Sequence, residues 1–230
     1  MGWELAGWAY ARNMRAIVFD FDGVLVDSEG MHERALREVV RAEGMDFTHE
    51  RYMSTYVGFD DRDAYRAICA DNGRALDDAM FARLKVGKAR AVERALERRE
   101  VPAIEGAAAL ARAAASATKT AICSGALRGE IVPMLSAIGL EGVFGTIVSA
   151  DDVPKAKPDP AGYRLTAQRL GVEPGRCVAI EDTPTGIRAA LAAGYRVVGV
   201  AHTFPASHLR EAHLVAEHIR GLTVESLLAV

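Results

Sequence analysis

Cysteine is scarce in this chain, and the cysteines that are present follow no pairing or metal-binding pattern. Cys69, Cys123 and Cys177 are scattered, odd in number and without a CxxC spacing. They therefore outline neither a disulfide framework nor a zinc site. A reducing compartment suits this usage best, and we expect a cytoplasmic protein.

The sequence also lacks an excess of charge of one sign and a long apolar run. Its 28 Lys and Arg residues and 31 Asp and Glu residues are interspersed and give a net charge of −3. No run of basic residues indicates binding to a nucleic acid or to an acidic membrane surface. The alanine-rich run from Ala107 to Ala117 is interrupted by Arg112, short of the roughly 18 uncharged residues that a membrane span needs. We expect a soluble protein with no nucleic-acid or membrane partner, which leaves a small anionic substrate open.

Length and composition allow a large core. Half of the 230 residues are hydrophobic and about a quarter are charged, as in ordinary globular proteins of one or two domains. The first 13 residues, MGWELAGWAYARN, carry Glu4 where a signal peptide has a basic flank, and their apolar run is short and broken. We expect residues 1–13 to be an extension outside the fold, disordered rather than an ordered arm.

Short apolar runs that end in polar residues return along the chain and predict buried parallel strands. They are AIVFDF from Ala16, TAICSG from Thr120, TIVSAD from Thr146, CVAIED from Cys177 and RVVGVA from Arg196. Because helical patterns separate them, the fold class is predicted to be α/β, a doubly wound parallel sheet. Ligands of such sheets bind beyond the carboxyl ends of the strands. Polar chemistry is therefore expected at that edge.

The strand pattern disappears between Ser28 and Pro102, where helical periodicity takes over. Apolar residues fall on helix faces, first Met31, Ala35, Leu36, Val39 and Val40, then Phe81, Leu84, Val92 and Leu96. We predict a catalytic core of residues 14–28 and 102–230, with residues 29–101 inserted as a helical cap domain. The two connections could act as a hinge, so the cap is expected to be mobile.

Two aspartates follow the first strand. Asp20 and Asp22 are two residues apart, so their side chains start on the same face before the chain turns at Gly23. Both can meet one ligand. A DxDG segment alone is more often a turn with local Asx hydrogen bonds.

The other strand ends carry features that are also ordinary when taken singly. Ser124 and Gly125 offer a hydroxyl and free backbone N–H groups that could hold phosphate oxygens, although a serine there is usually a turn residue. Lys157 lies in KAKPDP, otherwise a solvated loop. Glu181 and Asp182 could hold a metal or simply cap a helix. Four such features on four strand ends favour a shared site.

The order of these features resembles the haloacid dehalogenase superfamily, on its phosphatase and β-phosphoglucomutase-like branch with a helical cap. The resemblance covers Met14 to about Val200 and comprises four segments: DFDGVLVDSE from Asp20, ICSGA with Ser124, KPDP with Lys157, and IEDTPTGI with Glu181 and Asp182. It implies a Rossmann-like core and a Mg²⁺ cofactor.

The resemblance also implies a role for each matched residue. Asp20 attacks phosphorus and Asp22 is the general acid and base, while Ser124 and Lys157 bind the transferring group. Gly125, next to Ser124, is a candidate for substrate binding. The implied magnesium ligands are Asp20, the backbone carbonyl of Asp22, and Asp182 with help from Glu181. An acid at Asp22 argues against dehalogenase and phosphonate-cleaving relatives, which lack one there.

Elementary electrostatics supports these roles without the resemblance. Two unit charges about 4 Å apart repel by roughly 4 kcal/mol at an effective dielectric constant of ~20. A cluster of carboxylates that also binds phosphate therefore needs cations, which Mg²⁺ and Lys157 would supply. An aspartate is already ionised at neutral pH and needs no base to become a nucleophile.

Three residues of the insertion are candidates for substrate binding. His32 and Lys88 interrupt apolar helical stripes and are expected to face inward, although a satisfied buried histidine and a snorkelling lysine are equally good interpretations. The β-phosphoglucomutase group has a cap histidine, a cap lysine and an arginine after a glycine, which His32, Lys88 and Arg62 resemble. Arg62 lies one residue further from Gly58 than that pattern requires.

The residues after Ser124 distinguish hydrolysis from isomerisation. Such mutases follow this serine with a serine and a lysine that hold a second phosphate, whereas this chain has Ala126 and Leu127, with Arg128 displaced by one. We therefore expect a phosphatase acting on a small phosphorylated metabolite, a sugar or polyol phosphate, with a sugar phosphomutase as the alternative.

A receiver module would be shorter, and a non-catalytic phospho-ligand-binding module would not need the complete set of motifs. We expect a monomer, with a dimer as the alternative.

Overall fold

Two compact units make up the part of the chain that the computed structural model describes, which is residues 14–57, 59, 61–98 and 102–230. The sheet unit contains the described residues up to Asp27 and those from Pro102 onward. The helical unit begins at Ser28 and takes in the positions up to 98. The predicted extension, residues 1–13, and the predicted cap boundary at residue 101 lie outside the described residues, as does Gly58.

A parallel sheet of six strands forms the centre of the sheet unit, in the order β3-β2-β1-β4-β5-β6. The strands are β1 (Ala16–Phe19), β2 (Lys119–Cys123), β3 (Thr146–Val148), β4 (Cys177–Glu181), β5 (Arg196–Val200) and β6 (Leu214–Ala216). Every neighbouring pair is parallel. The predicted doubly wound α/β fold is confirmed. Sequence reasoning missed β6, a three-residue edge strand with exposed or half-buried residues.

The central strands are continuous apolar runs because helices cover both faces of the sheet. All four residues of β1 are fully buried, as is the apolar part of β4. Each buried aliphatic side chain contributes about 1.5–3 kcal/mol of hydrophobic free energy. Alternating polar residues would have indicated a sheet with one face exposed to solvent, whereas an unbroken apolar run indicates a central parallel strand that is buried on both faces.

Helices alternate with the strands of the sheet unit and make up most of the helical unit. The helical unit contains α1 (Glu29–Ala42), α2 (Asp61–Asp71) and α3 (Asp78–Glu97), with an α-helical turn at His49–Arg51 and a π-helical turn at Tyr52–Tyr56. The sheet unit contains α4 (Ala107–Ala117), α5 (Arg128–Ala137), α6 (Ala161–Leu170), α7 (Pro184–Ala192), α8 (Val224–Leu228) and 3₁₀ turns at Ala150–Asp152, Pro174–Arg176, Ala206–His208 and Ile219–Gly221. None of the described helices is both long and apolar enough to cross a membrane.

A side-chain hydrogen bond caps α7, and another closes the turn that leads into α6, so both tie down loops of the candidate site. The Thr183 hydroxyl accepts a hydrogen bond from the Gly186 N–H at 3.0 Å, and Pro184 occupies the first turn of α7. Such a cap contributes about 1 kcal/mol. Before α6, the Asp159 carboxylate accepts from the Ala161 N–H at 2.9 Å. The backbone is thus tied directly after Asp182 and directly after the Lys157 loop.

The helical unit has its own core. The predicted apolar face of α1 is buried, and it packs with residues of α2 and α3 such as Tyr65, Ile68 and Leu84. The Tyr65 hydroxyl donates to the Leu84 carbonyl at 3.1 Å, which satisfies a polar group inside that core.

Candidate active site

The candidate site lies where β1 and β4 end. These two strands are neighbours at the centre of the sheet, and the order of the strands along the chain reverses there. Such a switch point leaves a crevice at the carboxyl ends of the strands. Asp20 directly follows β1, Glu181 is the last residue of β4, and Asp182 comes next. The fold therefore brings together carboxylates that are about 160 residues apart in the sequence.

The three carboxylates form a buried cluster. Asp20 is 7% exposed, Asp182 is 2% exposed and Glu181 is fully buried. Each offers one oxygen, and these oxygens lie within 4.8 Å of one another. At that separation a pair of unit charges repels by roughly 3–4 kcal/mol at an effective dielectric constant of ~20. The cluster is stable in its ionised form only with cations inside it.

Lys157 supplies one cation. Its Nζ donates to Asp20 Oδ1 at 2.7 Å, to Glu181 Oε1 at 2.6 Å and to the Cys123 carbonyl at 3.0 Å. Burial lowers the pKa of this lysine, but the charges of Asp20 and Glu181 outweigh burial and hold its pKa well above the ordinary value. The lysine therefore stays charged and fixes the position of the Asp20 carboxylate.

One lysine does not balance the cluster. Burial, followed by the charge of Glu181, raises the pKa of Asp20 from 3.8 to about 7, although Lys157 opposes the rise. Burial and the charges of Asp20 and Glu181 also raise the pKa of Asp182 well above its ordinary value. A further cation would favour the ionised form of both carboxyls.

The donor set suits a hard divalent cation. Carboxylate oxygens are the ligands that Mg²⁺ prefers. Asp182 Oδ1 is buried and has no hydrogen-bond partner among the described residues. A buried carboxylate oxygen without a partner is costly unless a ligand occupies it. The residues present therefore fit the predicted magnesium ion.

Asp22 and Gly23 lie in the tight turn that follows Asp20. Gly23 has φ +73°, and a Cβ at this position would approach Asp182 Oδ2 to 1.9 Å. Only glycine fits, so the turn after β1 and the loop after β4 are in direct contact. Asp22 is half-buried, and its charge makes a small contribution to the raised pKa of Asp20.

Ser124 and Gly125 lie at the end of β2, on the other side of β1 from β4. The Ser124 side chain is buried, and its Oγ accepts a hydrogen bond from the Ala126 N–H at 2.9 Å. Gly125 is exposed, with open space where a Cβ would lie. A cavity of about 120 Å³ is lined by both residues together with Lys157. The structure thus places three of the residues predicted to bind the substrate or its transferring group around one small cavity.

Sequence reasoning missed Tyr163. This tyrosine is fully buried on α6, and its hydroxyl donates to Glu181 Oε1 at 2.6 Å. Its ring centroid lies 5.3 Å from Lys157 Nζ. The Tyr195 hydroxyl in turn donates to the Tyr163 carbonyl at 2.8 Å. A tyrosine on the apolar side of a helix looks like an ordinary core residue, so the sequence carried no signal for this contact.

Arg128 is held at the end of β3. Its guanidinium donates to the Ile147 carbonyl at 2.7 Å and to Asp152 Oδ2 at 3.0 Å, and its backbone N–H donates to Asp151 at 2.9 Å. Asp152 also accepts from Arg169 at 2.7 Å. Chiefly because of Arg169, the pKa of Asp152 lies well below its ordinary value, so this anchor stays charged.

Two of the three candidates of the helical unit, Lys88 and Arg62, have side-chain partners within that unit. Lys88 on α3 is mostly buried and forms an ion pair with Asp61 at the start of α2. The Arg62 guanidinium lies 4.0 Å from the centroid of the Phe81 ring and 3.6 Å from Asp78. His32 is half-buried on α1. Asp61 and Arg62 both lie on α2, so these contacts of Lys88 and Arg62 join α2 to α3. A role of either residue in substrate binding stays a prediction.

A family model described as haloacid dehalogenase-like hydrolase matches residues 14–194. The chain belongs to that family. Fructose-1-phosphate phosphatase YqaB of Escherichia coli K12 is 32% identical over 185 residues, which cover 80% of this chain and 95% of that protein. Hexitol phosphatase A of the same organism is 32% identical over 216 residues, 91% of this chain and 94% of the relative.

A solved structure extends the comparison. The crystal structure of CbbY from Rhodobacter sphaeroides in complex with phosphate has a TM-score of 0.83 and 25% identity, and the match covers 93% of this chain and 99% of that one. The predictions of a haloacid dehalogenase-type enzyme, of its phosphatase and β-phosphoglucomutase-like branch, and of an α/β fold are confirmed.

Proposed function

We propose that this haloacid dehalogenase-type phosphatase is magnesium-dependent and hydrolyses a small sugar or polyol phosphate through a phosphorylated Asp20. The observation that carries the proposal is the buried cluster of Asp20, Glu181 and Asp182 with Lys157 inside it. The substrate class is supported by the names of two relatives, a fructose-1-phosphate phosphatase and a hexitol phosphatase.

Asp20 is the nucleophile in this proposal. Its carboxylate attacks phosphorus, the bond from phosphorus to the leaving oxygen breaks, and Asp22 donates a proton to that oxygen. Asp22 then accepts a proton from water as the water attacks the aspartyl phosphate, which releases inorganic phosphate and restores Asp20. Ser124 and the backbone at Gly125 would hold phosphoryl oxygens, and Lys157 would keep Asp20 in place and offset its charge.

We propose that the side chains of Asp20 and Asp182 and the backbone carbonyl of Asp22 hold the magnesium ion. When bound, the ion would neutralise part of the charge on the phosphoryl oxygens. Glu181 Oε1 already accepts hydrogen bonds from Lys157 and Tyr163. Its contribution to the metal is therefore largely indirect, through the lysine and the overall negative charge.

The domain division is also part of the proposal. Residues 14–28 and 102–230 would carry the chemistry, and residues 29–101 would form a cap domain that selects the substrate through His32, Arg62 and Lys88. Two of these three are cationic, which suits an anionic phosphate ester. We propose a cytoplasmic enzyme that acts as a monomer.

The test is release of inorganic phosphate from a panel of sugar and polyol phosphates, with magnesium and with EDTA. We expect magnesium-dependent turnover that Asp20→Asn abolishes while circular dichroism shows a folded protein. Retained turnover in Asp20→Asn would contradict the nucleophile assignment, and absence of turnover from every substrate would favour a non-catalytic binding module.

A second assay separates hydrolysis from isomerisation. The enzyme is incubated with β-glucose 1-phosphate, a trace of the 1,6-bisphosphate and magnesium, and both glucose 6-phosphate and free phosphate are measured. Rapid isomerisation with little phosphate release would replace the phosphatase proposal by the phosphomutase alternative.

A further inference from the structure

His202 joins two segments of the sheet unit that are far apart in the sequence. It lies two residues beyond the end of β5. Its Nδ1 is 2.7 Å from the Gly23 carbonyl oxygen, and the Ile219 N–H donates to its Nε2 at 3.1 Å. The histidine therefore connects the turn after Asp20 and Asp22 to the 3₁₀ turn at Ile219–Gly221.

These two partners assign the protonation state of the ring. A backbone N–H can only donate, so Nε2 must be the unprotonated acceptor. A carbonyl oxygen can only accept, so Nδ1 must carry the proton and donate it to Gly23. His202 is thus a neutral imidazole with a defined tautomer, and neither ring nitrogen is left for proton transfer with a substrate.

The Gly23 end of this link lies in a crowded part of the site. A Cβ on Gly23 would meet Asp182 Oδ2 at 1.9 Å and Thr203 Oγ1 at 2.7 Å. The turn after β1 therefore meets the loop after β4 and the loop after β5 at Gly23. Because Gly23 directly follows Asp22, a shift of the Gly23 carbonyl would also shift the backbone that carries Asp22.

We propose that His202 is a positioning residue that holds the Gly23 carbonyl and thereby aims the Asp22 carboxyl at the leaving oxygen; this inference rests on the proposed phosphatase function. In this role His202 acts through the backbone at Gly23 and not on the substrate itself. Misplacing a reacting group by about 1 Å costs on the order of 100-fold in rate. Loss of the histidine should therefore slow the step that needs a proton from Asp22.

The test compares His202→Ala and His202→Asn with His213→Ala as a matched control. The asparagine amide can place a donor near the position of Nδ1 but leaves Ile219 without its acceptor. His213 also accepts a backbone N–H, that of Val197 at 3.1 Å, near the opposite end of β5. Steady-state kinetics are measured with the preferred alkyl phosphate and with 4-nitrophenyl phosphate, and thermal unfolding is recorded for each variant.

We expect His202→Ala to lower kcat for the alkyl phosphate roughly 10- to 100-fold with KM little changed. The loss should be several-fold smaller for 4-nitrophenyl phosphate, whose leaving group departs without a proton. His202→Asn should restore most of the alkyl phosphatase rate but not the thermal midpoint, and His213→Ala should leave the ratio of the two rates unchanged. If His202→Ala does not fold, the rate that His202→Asn still lacks carries the test: that loss should be larger for the alkyl phosphate than for 4-nitrophenyl phosphate, and an equal loss on both substrates would overturn the inference.

Two outcomes would overturn the inference and leave the proposed function intact. One is an equal loss on both substrates in His202→Ala, and the other is an asparagine variant as slow as the alanine variant. Absence of magnesium-dependent phosphate release by the wild-type enzyme would instead overturn the proposed function, and the inference with it.

Discussion

Replacing Asp20 by asparagine should stabilise the metal-free protein, although it should abolish turnover. Asp20 is buried beside two other carboxylates, and only Lys157 offsets its charge with a direct hydrogen bond among the residues that the structure describes. Burial and the charge of Glu181 raise its pKa from 3.8 to about 7. Ionising Asp20 is therefore harder in the folded state than in the unfolded state, and asparagine removes that cost while keeping the shape.

The size and sign of the effect follow from proton linkage. Because the folded-state pKa is raised, the stabilising contribution of protonated Asp20 is complete below its unfolded pKa and is lost as the pH rises through about 7. A tenfold difference in proton affinity between the folded and unfolded states corresponds to about 1.4 kcal/mol. The free energy of unfolding of the asparagine variant should thus exceed that of the wild type by about 4 kcal/mol at pH 8, by about 2 kcal/mol at pH 5, and by almost nothing below ~pH 3.

Urea unfolding in EDTA at pH 5 and at pH 8 measures this difference. Asp27→Asn is the matched control, because this aspartate is exposed on the same segment, and it should change the unfolding midpoint little at either pH. Saturating magnesium should reduce the difference in the free energy of unfolding between the two proteins, since the wild type gains the metal's binding free energy and the variant gains less. Equal stability of wild type and Asp20→Asn at pH 8 in EDTA would refute the electrostatic reasoning.

The remaining predictions concern three other positions. Asp182→Ala should raise the magnesium concentration needed for half-maximal activity and weaken magnesium binding in calorimetry, and an unchanged calorimetric titration would place the metal elsewhere. Tyr163→Phe should lower the free energy of unfolding in urea by about 1.5–3 kcal/mol, because the buried Glu181 carboxylate loses the hydrogen bond that the Tyr163 hydroxyl donates; a loss below about 0.5 kcal/mol would contradict that. Lys88→Ala should impair kcat/KM for the preferred sugar or polyol phosphate more than for 4-nitrophenyl phosphate, whereas equal losses would count against a role in substrate binding.

The sequence predicted the sheet and the main part of the site because both depend on local patterns. Central parallel strands are buried on both faces, so each one appears as an apolar run that can be recognised without knowing its neighbours. The carboxyl ends of parallel strands meet at one edge, which is why Asp20, Lys157 and Glu181 could be expected together before any distance was known. The structure adds the contacts of 2.6–2.7 Å that join them.

The features that were missed depend on long-range contacts or on short, exposed segments. His202 hydrogen-bonds to a residue 179 positions away, and Tyr163 reaches Glu181 from a helix that looks like any amphipathic helix. Neither contact leaves a local pattern. The edge strand β6 has three residues, too few for periodicity to distinguish it from a loop.

The position of Arg128 bears on the choice between phosphatase and phosphomutase. A mutase must retain a bisphosphate intermediate as it turns over, which requires a second cationic group in addition to the one beside the nucleophile. Arg128 is the cation that the loop after β2 offers, but the structure commits its guanidinium to the Ile147 carbonyl and to Asp152. Arg169 lowers the pKa of Asp152, so Asp152 stays ionised as the pH falls. Mild acidification would therefore not release Arg128 from this ion pair.

Lys157 is equally committed, to Asp20 and Glu181. Neither cation is therefore available to a distal phosphate without giving up its charged partners, and the sheet unit is better suited to releasing phosphate than to holding a bisphosphate.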